Sequence, residues 1–401
     1  MNPPVSPVER VIGLDAHPDS FTASVLRGPT PAAAIVEKTF NKVPIDQLQK
    51  WARTHLGEGD LVVLEASGNS FHLARTLHAA GVRAQVLESW HLGKLKEAHA
   101  NNDRISAVRI GKAFLAGTAR IVWIPDPKTQ ERRDLFNHHR KVVKRTTQTT
   151  NRLRGYLSDQ GVRLAPDFDL DFTDDCAQRL RQLHPWTARQ RQILDGLLLE
   201  GRQAREQREH WSSVIALEVA SDPLLLSLTR LTGIREIVAF ALGACIGDIQ
   251  RFAAPKKLVR YVGLNPAFDD SGEGSWSGGI GGHGHKPLRA LLMESAQSIL
   301  RSPNHPLAQW GRRLLARKGA YNLVVAAVAR RLVVSIWHLM TGRAQPVEHV
   351  DQALRAKLGK IASKVGTPVL EDMGQTRVGL RQAMEHSLRH GRVYHLRPPR
   401  H

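Results

Sequence analysis

Cysteine is nearly missing from this chain, which has only Cys176 and Cys245 among its 401 residues. Two thiols are too few for a disulfide-stapled scaffold or a zinc site built from thiolates, so both classes are excluded. The first residues lack the basic and then apolar pattern of a signal sequence. No apolar run reaches membrane-spanning length, so we expect a cytoplasmic protein without a membrane partner.

Acidic residues are also scarce compared with basic ones. The chain has 37 Asp and Glu against 57 Lys and Arg, which gives a formal net charge of +20. A phosphate backbone neutralises such an excess with release of counterions, so the composition favours a nucleic-acid partner. The alternative is a basic surface that is merely solvated. The chain has no zinc-finger or RRM signature that would read bases directly.

The first 125 residues alternate between strand and helix patterns. Apolar runs of strand length occur at 11–15, 21–27 and 33–40, and further strands are predicted at 61–65 and 82–87. Helical spacing appears between and after these last strands. This order predicts an α/β domain over residues 1–125.

Two of the predicted strands end on a single acid, Asp15 in the first and Glu65 in the second. A third acid, Asp103, begins a helix predicted over 104–115. Carboxylates grouped at the ends of neighbouring strands can hold Mg²⁺ and leave positions open for a substrate phosphate, as in an RNase-H-like nuclease core. A solvated strand end and an ordinary helix cap are the alternatives for these acids.

The region 126–222 is strongly polar and helical. Helices predicted over 129–160 and 188–217 carry enough apolar residues for a seam, so we expect an antiparallel coiled-coil hairpin. Such a hairpin acts as a dimerisation element or as a spacer, and its basic face is a candidate nucleic-acid surface. The candidate contacts are Arg132, Arg133, Arg140, Lys141, Lys144, Arg145, Arg152 and Arg154, with Lys256 and Lys257 further along the chain.

The remaining residues, 223–401, are predicted to be mainly helical, with a glycine-rich segment between Asp270 and Lys286. So many glycines permit close backbone approach to a ligand or to another chain, and a flexible loop is the alternative. His283 and His285 lie in this segment. Histidines in a glycine loop without a cysteine partner more often contact phosphate or solvent than a metal.

Two separated sets of motifs identify the chain as similar to a known family. The first set is Gly13-Leu14-Asp15, Leu64-Glu65-Ala66-Ser67-Gly68 and Asn102-Asp103-Arg104-Ile105. The second is Gly247-Asp248-Ile249, Arg251-Phe252, Leu258, Gly263-Leu264, Pro266, Ser271-Gly272, Gly284 and Leu288-Arg289. In this order they resemble the insertion-sequence transposases related to the Piv invertase. That resemblance covers most of the chain and implies a RuvC-like DEDD domain followed by a transposase domain with a catalytic serine.

The resemblance also implies the roles of individual residues. Asp15, Glu65 and Asp103 are expected to bind Mg²⁺ or Mn²⁺, and Ser271 is expected to attack the DNA backbone and become joined to it. Serine is a weak nucleophile at its ordinary pKa, so it needs a base or a metal to activate it. An active site drawn from both domains makes activity depend on domain docking or on two subunits.

The partners follow from the same resemblance. The family uses a structured non-coding bridge RNA whose loops pair with donor and target DNA, so sequence readout is delegated to base pairing. We therefore expect this chain to bind DNA at the element ends and at the target, and to bind a guide RNA. A homodimer or tetramer is expected because recombination holds two duplexes, and the implied location is the bacterial nucleoid within the cytoplasm.

One residue departs from the family pattern. The fourth acid of the DEDD set is expected three residues after Asp103, and this chain has Ser106 there. A neutral hydroxyl is a poor substitute for a carboxylate as a metal ligand. The serine is native to a subgroup with water-mediated coordination, or it marks an inactive copy, or another acid such as Glu97 replaces the missing ligand.

Two further interpretations of function remain beside the recombinase. One is a catalytically impaired nucleic-acid-binding derivative, in which Ser106 records the loss of the metal site. The other is a junction-resolving nuclease that uses only the first domain and water. The segment around Ser271 argues against the second alternative, because a hydrolase would not need it.

Overall fold

The structure is a computed structural model that describes residues 8–89, 103–271, 274–281, 283–343 and 350–390, with only the backbone described for 266–279. The chain forms two compact units, residues 1–126 and 127–401. The three-domain division of the sequence stays a prediction. Glu97, the acid named above as a replacement ligand, lies outside the described residues.

The first unit is an α/β domain built on a six-stranded sheet, as the sequence predicts. Its strands are β1 (Arg10–Ala16), β2 (Ser20–Arg27), β3 (Ile35–Pro44), β4 (Asp60–Glu65), β5 (Arg83–Leu87) and β6 (Ile121–Val122). Its described helices are α1 (Leu48–His55), α2 (Ser70–Ala79) and α3 (Asp103–Leu115). The strand order is β3-β2-β1-β4-β5-β6, with β1, β4 and β5 parallel and the other neighbours antiparallel.

Helices cover both faces of the central strands β1 and β4. Ile12 and Leu14 pack into the cluster that contains residues of α1 and α2, whereas Val11 packs with residues of α3. Side chains alternate between the faces of a strand, so Asp15 follows Val11 onto the face of α3. The same alternation in β4 places Glu65 on that face, because Leu61 and Val63 also pack with α3. Both strand-end acids therefore lie on the side where Asp103 begins its helix.

Two glycines allow α3 to lie directly on the sheet. A Cβ atom added to Gly13 would lie 1.9 Å from the carbonyl oxygen of Ala107, and one added to Gly111 would lie 2.7 Å from a methyl group of Leu26. Any larger residue at Gly13 would push the helix backbone away from β1. The close approach brings the first turn of α3 to the end of β1.

The second unit is mostly helical. It begins with a helical pair, α4 (Pro127–Asp159) and α6 (Ala188–Ser221), and α5 (Asp174–Gln182) lies between them in sequence. The other helices are α7 (Pro223–Leu228), α8 (Glu236–Ile246), α9 (Pro255–Val262), α10 (Lys286–Leu300), α11 (Pro306–Lys318), α12 (Tyr321–Met340), α13 (Gln352–Val365), α14 (Thr367–Asp372) and α15 (Arg377–His390). Strands β7 (Pro266–Ser271) and β8 (Gly274–Ile280) form an antiparallel hairpin.

Buried polar groups join the two long helices α4 and α6. Arg132 in α4 lies 2.6 Å from carboxylate oxygens of both Glu218 and Asp222, and its side chain is only 12% exposed. His139 lies 3.1 Å from the hydroxyl of Ser212. Because a charge in such a place is costly when unpaired, Arg132 fixes the register of the pair at this level.

Helix α12 corrects the expectation that no apolar run has membrane-spanning length. It has 20 residues and a mean hydropathy of 1.7, so it meets that test by length and composition. Most of its apolar side chains are buried in the core of the helical unit, and Val325, Val328 and Ile336 are fully buried. The helix is apolar because other helices surround it.

Candidate metal centre and serine hairpin

Three side chains meet at the carboxyl end of β1. The Nε2 atom of His17 lies 3.2 Å from Oδ1 of Asp103 and 3.8 Å from Oδ2 of Asp15. One donor atom from each of the three residues falls within 4.8 Å of the other two. The sequence motifs predict the two acids but not the histidine, which lies only two residues after Asp15.

Backbone and side-chain hydrogen bonds position His17. Its backbone N–H donates to the carbonyl oxygen of Ser20 at 2.8 Å, which closes the turn between β1 and β2. Its own carbonyl oxygen accepts a hydrogen bond of 2.8 Å from Nδ2 of Asn69, which directly precedes α2. The residues after β1 are therefore hydrogen-bonded to the segment that follows β4, and these bonds hold the backbone of His17 in place.

The other predicted ligands lie close by in the fold but outside this group of three. Glu65 ends β4, which pairs in parallel with β1 through Leu14 and Leu64, one residue before the two acids. Ser106 lies one turn after Asp103 in α3 and is partly buried. The metal roles predicted for Asp15, Glu65, Asp103 and Ser106 stay predictions.

The chemistry of the cluster fits a divalent cation. Nε2 of His17 is shielded from solvent and lies within ion-pair distance of both carboxylates, but it makes no hydrogen bond of normal geometry among the described residues. The imidazole side chain as a whole is 43% exposed. Neighbouring ligands of an octahedral ion with bonds of about 2.1 Å lie roughly 3.0 Å apart, and opposite ligands lie roughly 4.2 Å apart. The two distances from Nε2 of His17, 3.2 Å to Asp103 and 3.8 Å to Asp15, are in this range. Asp15, His17 and Asp103 are therefore the residues able to hold an ion here.

The predicted nucleophile Ser271 is at the end of a strand rather than in a flexible loop. It is the last residue of β7, and its backbone is paired with that of Gly274 at the start of β8. Gly272 and the residue after it lie outside the described residues. Part of the glycine-rich segment therefore forms strand β8, where glycine lets a ligand or another backbone approach closely.

Arg289 clamps the base of this hairpin to two helices. Its Nη1 atom donates to the carbonyl oxygens of Gly263 at the end of α9, of Gly281 and of His283, at 3.0, 3.2 and 2.8 Å. Gly263 has a φ of +82°, and an added Cβ would lie 2.1 Å from the carbonyl oxygen of His283. The chain that leaves β8 is thus held against α9, which explains the spacing of these motif residues.

The two histidines after the hairpin have structural contacts. Nδ1 of His285 accepts a hydrogen bond of 3.2 Å from the backbone N–H of Leu288, so this side chain caps the start of α10. Burial lowers the pKa of His285, with further lowering from the charges of Arg133 and Arg140. A cap that accepts through Nδ1 needs a neutral imidazole at that atom, which agrees with the lowered pKa.

The candidate nucleic-acid contacts fall into two groups. Arg132 and Arg133 bond internally, the second to the carbonyl oxygens of Ala244 and Cys245, so they support the helical unit instead of a free face. Arg152 is exposed and pairs with Glu200. Exposed side chains make up the rest, namely Arg140, Lys141, Lys144, Arg145, Arg154, Lys256 and Lys257.

Comparison with known proteins places this architecture among transposases. A model of the DEDD transposase domain matches residues 12–160, which include the cluster at the end of β1. A second model, described as transposase of the IS116/IS110/IS902 family, matches residues 226–310 and includes the serine hairpin. The fold and the two matched segments define a DNA-recombining enzyme, and domains of this DEDD type usually use a divalent metal.

The chain belongs to the IS110/IS116 family of insertion-sequence transposases. It is 25% identical over 283 residues to the transposase for insertion sequence element IS1111A of Coxiella burnetii, which covers 70% of this chain and 77% of that protein. It is also 23% identical over 337 residues to the transposase for IS1328 of Yersinia enterocolitica, covering 82% and 96%. The resemblance read from the motifs is thereby confirmed.

Proposed function

We propose that this transposase cuts and rejoins DNA strands through a covalent bond between Ser271 and the DNA backbone. In this proposal Asp15, Glu65 and Asp103 hold Mg²⁺ or Mn²⁺ in a RuvC-like first unit. The observation that carries it is the meeting of Asp15 and Asp103 at the end of β1, within the segment matched as a DEDD domain. A bound divalent ion supplies electrophilic help at the phosphate.

The covalent step follows from the chemistry of a phosphodiester. The Ser271 hydroxyl loses its proton, its oxygen bonds to phosphorus, and the bond from phosphorus to the departing deoxyribose oxygen breaks as that oxygen gains a proton. One phosphodiester replaces another, so the DNA strands can be rejoined without an outside energy source. Arg289 supports the reaction indirectly because it fixes the base of the hairpin in which Ser271 ends β7.

We also propose that a structured guide RNA and DNA bind along the exposed basic side chains of α4. Arg140, Lys141, Lys144 and Arg145 are exposed on this helix, and none of them pairs with an acid in the part of the chain that the structure describes. Such a stripe suits phosphate contacts, which are independent of sequence. Recombination between two duplexes requires at least two copies of the chain, so the active form in this proposal is a homodimer or tetramer.

The test is a search for a denaturation-resistant adduct between protein and DNA. The wild-type chain is incubated with its flanking RNA, Mg²⁺ and DNA that carries the element junction, and any adduct is mapped by peptide mass. Ser271→Ala should abolish the adduct, whereas Ser277→Ala in the opposite strand of the same hairpin should keep it. An adduct that survives in Ser271→Ala removes this serine from its role.

The impaired nucleic-acid-binding derivative remains a second candidate because of Ser106. It predicts no adduct from the wild-type chain and recovery of the adduct in Ser106→Asp, since the variant restores a carboxylate one helical turn after Asp103. Strong wild-type activity that falls in Ser106→Asp would instead make the serine native to this geometry.

A further inference from the structure

The cluster at the end of β1 contains a nitrogen donor in addition to the acids expected of a DEDD site. We propose that His17 is a direct ligand of the divalent ion and gives the site a preference for Mn²⁺ over Mg²⁺. This inference rests on the proposed metal site and adds a ligand and a selectivity to it. Three observations support it, namely the direction of the ring nitrogen, its anchoring and the missing fourth acid.

The direction of the ring is the first observation. Nε2 of His17 is the atom that lies 3.2 Å from Asp103 and 3.8 Å from Asp15, and it makes no hydrogen bond of normal geometry among the described residues. The side chain as a whole is 43% exposed, so the ring had room to place this nitrogen in water. It is instead directed at two carboxylates, where a shared cation would satisfy all three donors.

Anchoring of the histidine is the second observation. The backbone of His17 is fixed on both sides, by Ser20 through its N–H and by Asn69 through its carbonyl oxygen. Hydrogen bonds around a metal site usually hold its ligands in place before the ion arrives, and here they fix the backbone from which the imidazole extends. Asn69 is thus a positioning residue, since it contacts the backbone of His17 and not the ion.

The third observation is the serine at the position of the fourth acid. Ser106 brings no charge, so a site made of carboxylates alone has one strong ligand fewer than expected. An imidazole nitrogen replaces that ligand without adding a negative charge. Nitrogen ligands suit Mn²⁺ and later transition metals better than Mg²⁺, which prefers oxygen, so the exchange changes the metal preference.

The direct test is pulsed electron paramagnetic resonance of the full chain loaded with Mn²⁺. An imidazole bound to Mn²⁺ gives a characteristic ¹⁴N modulation, which we expect in the wild type. It should disappear when the histidines carry ¹⁵N and in His17→Gln, and it should persist in His72→Gln, which changes an exposed histidine of the same unit. The isotope experiment needs no substitution and so does not depend on a variant that folds.

The preference for Mn²⁺ over Mg²⁺ is measured by binding titrations with each ion. We expect His17→Gln to weaken Mn²⁺ binding at least about tenfold, the smallest loss typical for disturbed metal sites. His17→Asp should keep binding but reduce the ratio of Mn²⁺ to Mg²⁺ affinity, because its ligands are all oxygen.

The outcomes separate this inference from the proposed function. Tight Mn²⁺ binding that is lost in Asp15→Asn but shows no ¹⁴N modulation would overturn the role of His17 and keep the metal site. Modulation that survives in His17→Gln would assign the nitrogen to a different histidine and also overturn the inference. A chain that binds no Mn²⁺ would overturn both the inference and the metal site.

Discussion

The approach of α3 to β1 at Gly13 controls whether Asp103 reaches Asp15 and His17, so Gly13→Ala is an informative perturbation. The added methyl carbon would start 1.9 Å from the carbonyl oxygen of Ala107, and helix and strand must part by about 1.1 Å to reach even a 3.0 Å contact. Gly13 has no positive φ, so alanine strains nothing else in the backbone. The substitution therefore acts through the spacing of α3 and β1.

The expected cost is large because the contacted atom belongs to a helix backbone and cannot rotate away. Overpacking costs about 1–3 kcal/mol, and we expect a value near 3 kcal/mol, or roughly 10 °C in the melting temperature of the first unit. The separation of Nε2 of His17 from Asp103, now 3.2 Å, should increase by a similar 1 Å. Mn²⁺ affinity should then fall at least about tenfold.

The assay combines thermal melting, hydrogen exchange of the peptide that contains β1, and Mn²⁺ titration of the full chain. Gly57→Ala is the matched control, because a Cβ at Gly57 would meet nothing within 4 Å and its φ is not positive. We expect that control to change stability by less than about 0.5 kcal/mol. If Gly13→Ala melted and bound Mn²⁺ like the wild type, the close approach would not be what positions Asp103.

Three other predictions concern the helical unit. Arg132→Met should lower the free energy of unfolding of this unit by about 3 kcal/mol in urea, because the largely buried Asp222 loses its close partner and keeps only the exposed Lys128 at 3.7 Å. A change below about 1 kcal/mol would contradict this. Burial would raise the pKa of Asp222, but hydrogen bonds from Arg132 and from the backbone outweigh it and lower that pKa. The stabilisation is therefore complete above the unfolded pKa of about 4 and is lost as pH falls through the lower folded value. Asp222→Asn should flatten the acid limb of the pH–stability curve, and an acid limb as steep as that of the wild type would contradict this. Arg289→Met should reduce adduct formation by about 100-fold, because the hairpin that contains Ser271 is then misplaced. Arg313→Met, which changes an exposed arginine, is the control. An equal adduct yield from the two variants would rule out a positioning role for Arg289.

Local patterns predicted the main strands and helices of the first unit and the class of the fold, but not β6 or the hairpin of β7 and β8. The runs that end on Asp15 and Glu65 form the parallel central strands, and the polar helix predicted over 129–160 is α4, Pro127–Asp159. These features are local because hydrophobic periodicity reports which face of an element is buried. The glycine-rich segment was harder to interpret, because its composition does not distinguish a flexible loop from the antiparallel hairpin that the structure shows.

The candidate site divides in the same way between sequence and tertiary structure. The sequence by itself was sufficient to name Asp15 and Asp103 as candidate ligands, to identify the family and to show the basic character of the chain. These are properties of single residues and short motifs. Only the tertiary structure decided that His17 faces Asp103, that Arg132 bonds inward and that Arg289 clamps the hairpin. Each of these contacts joins residues brought together by packing, and the distance between Asp15 and Asp103 depends on how closely α3 approaches Gly13.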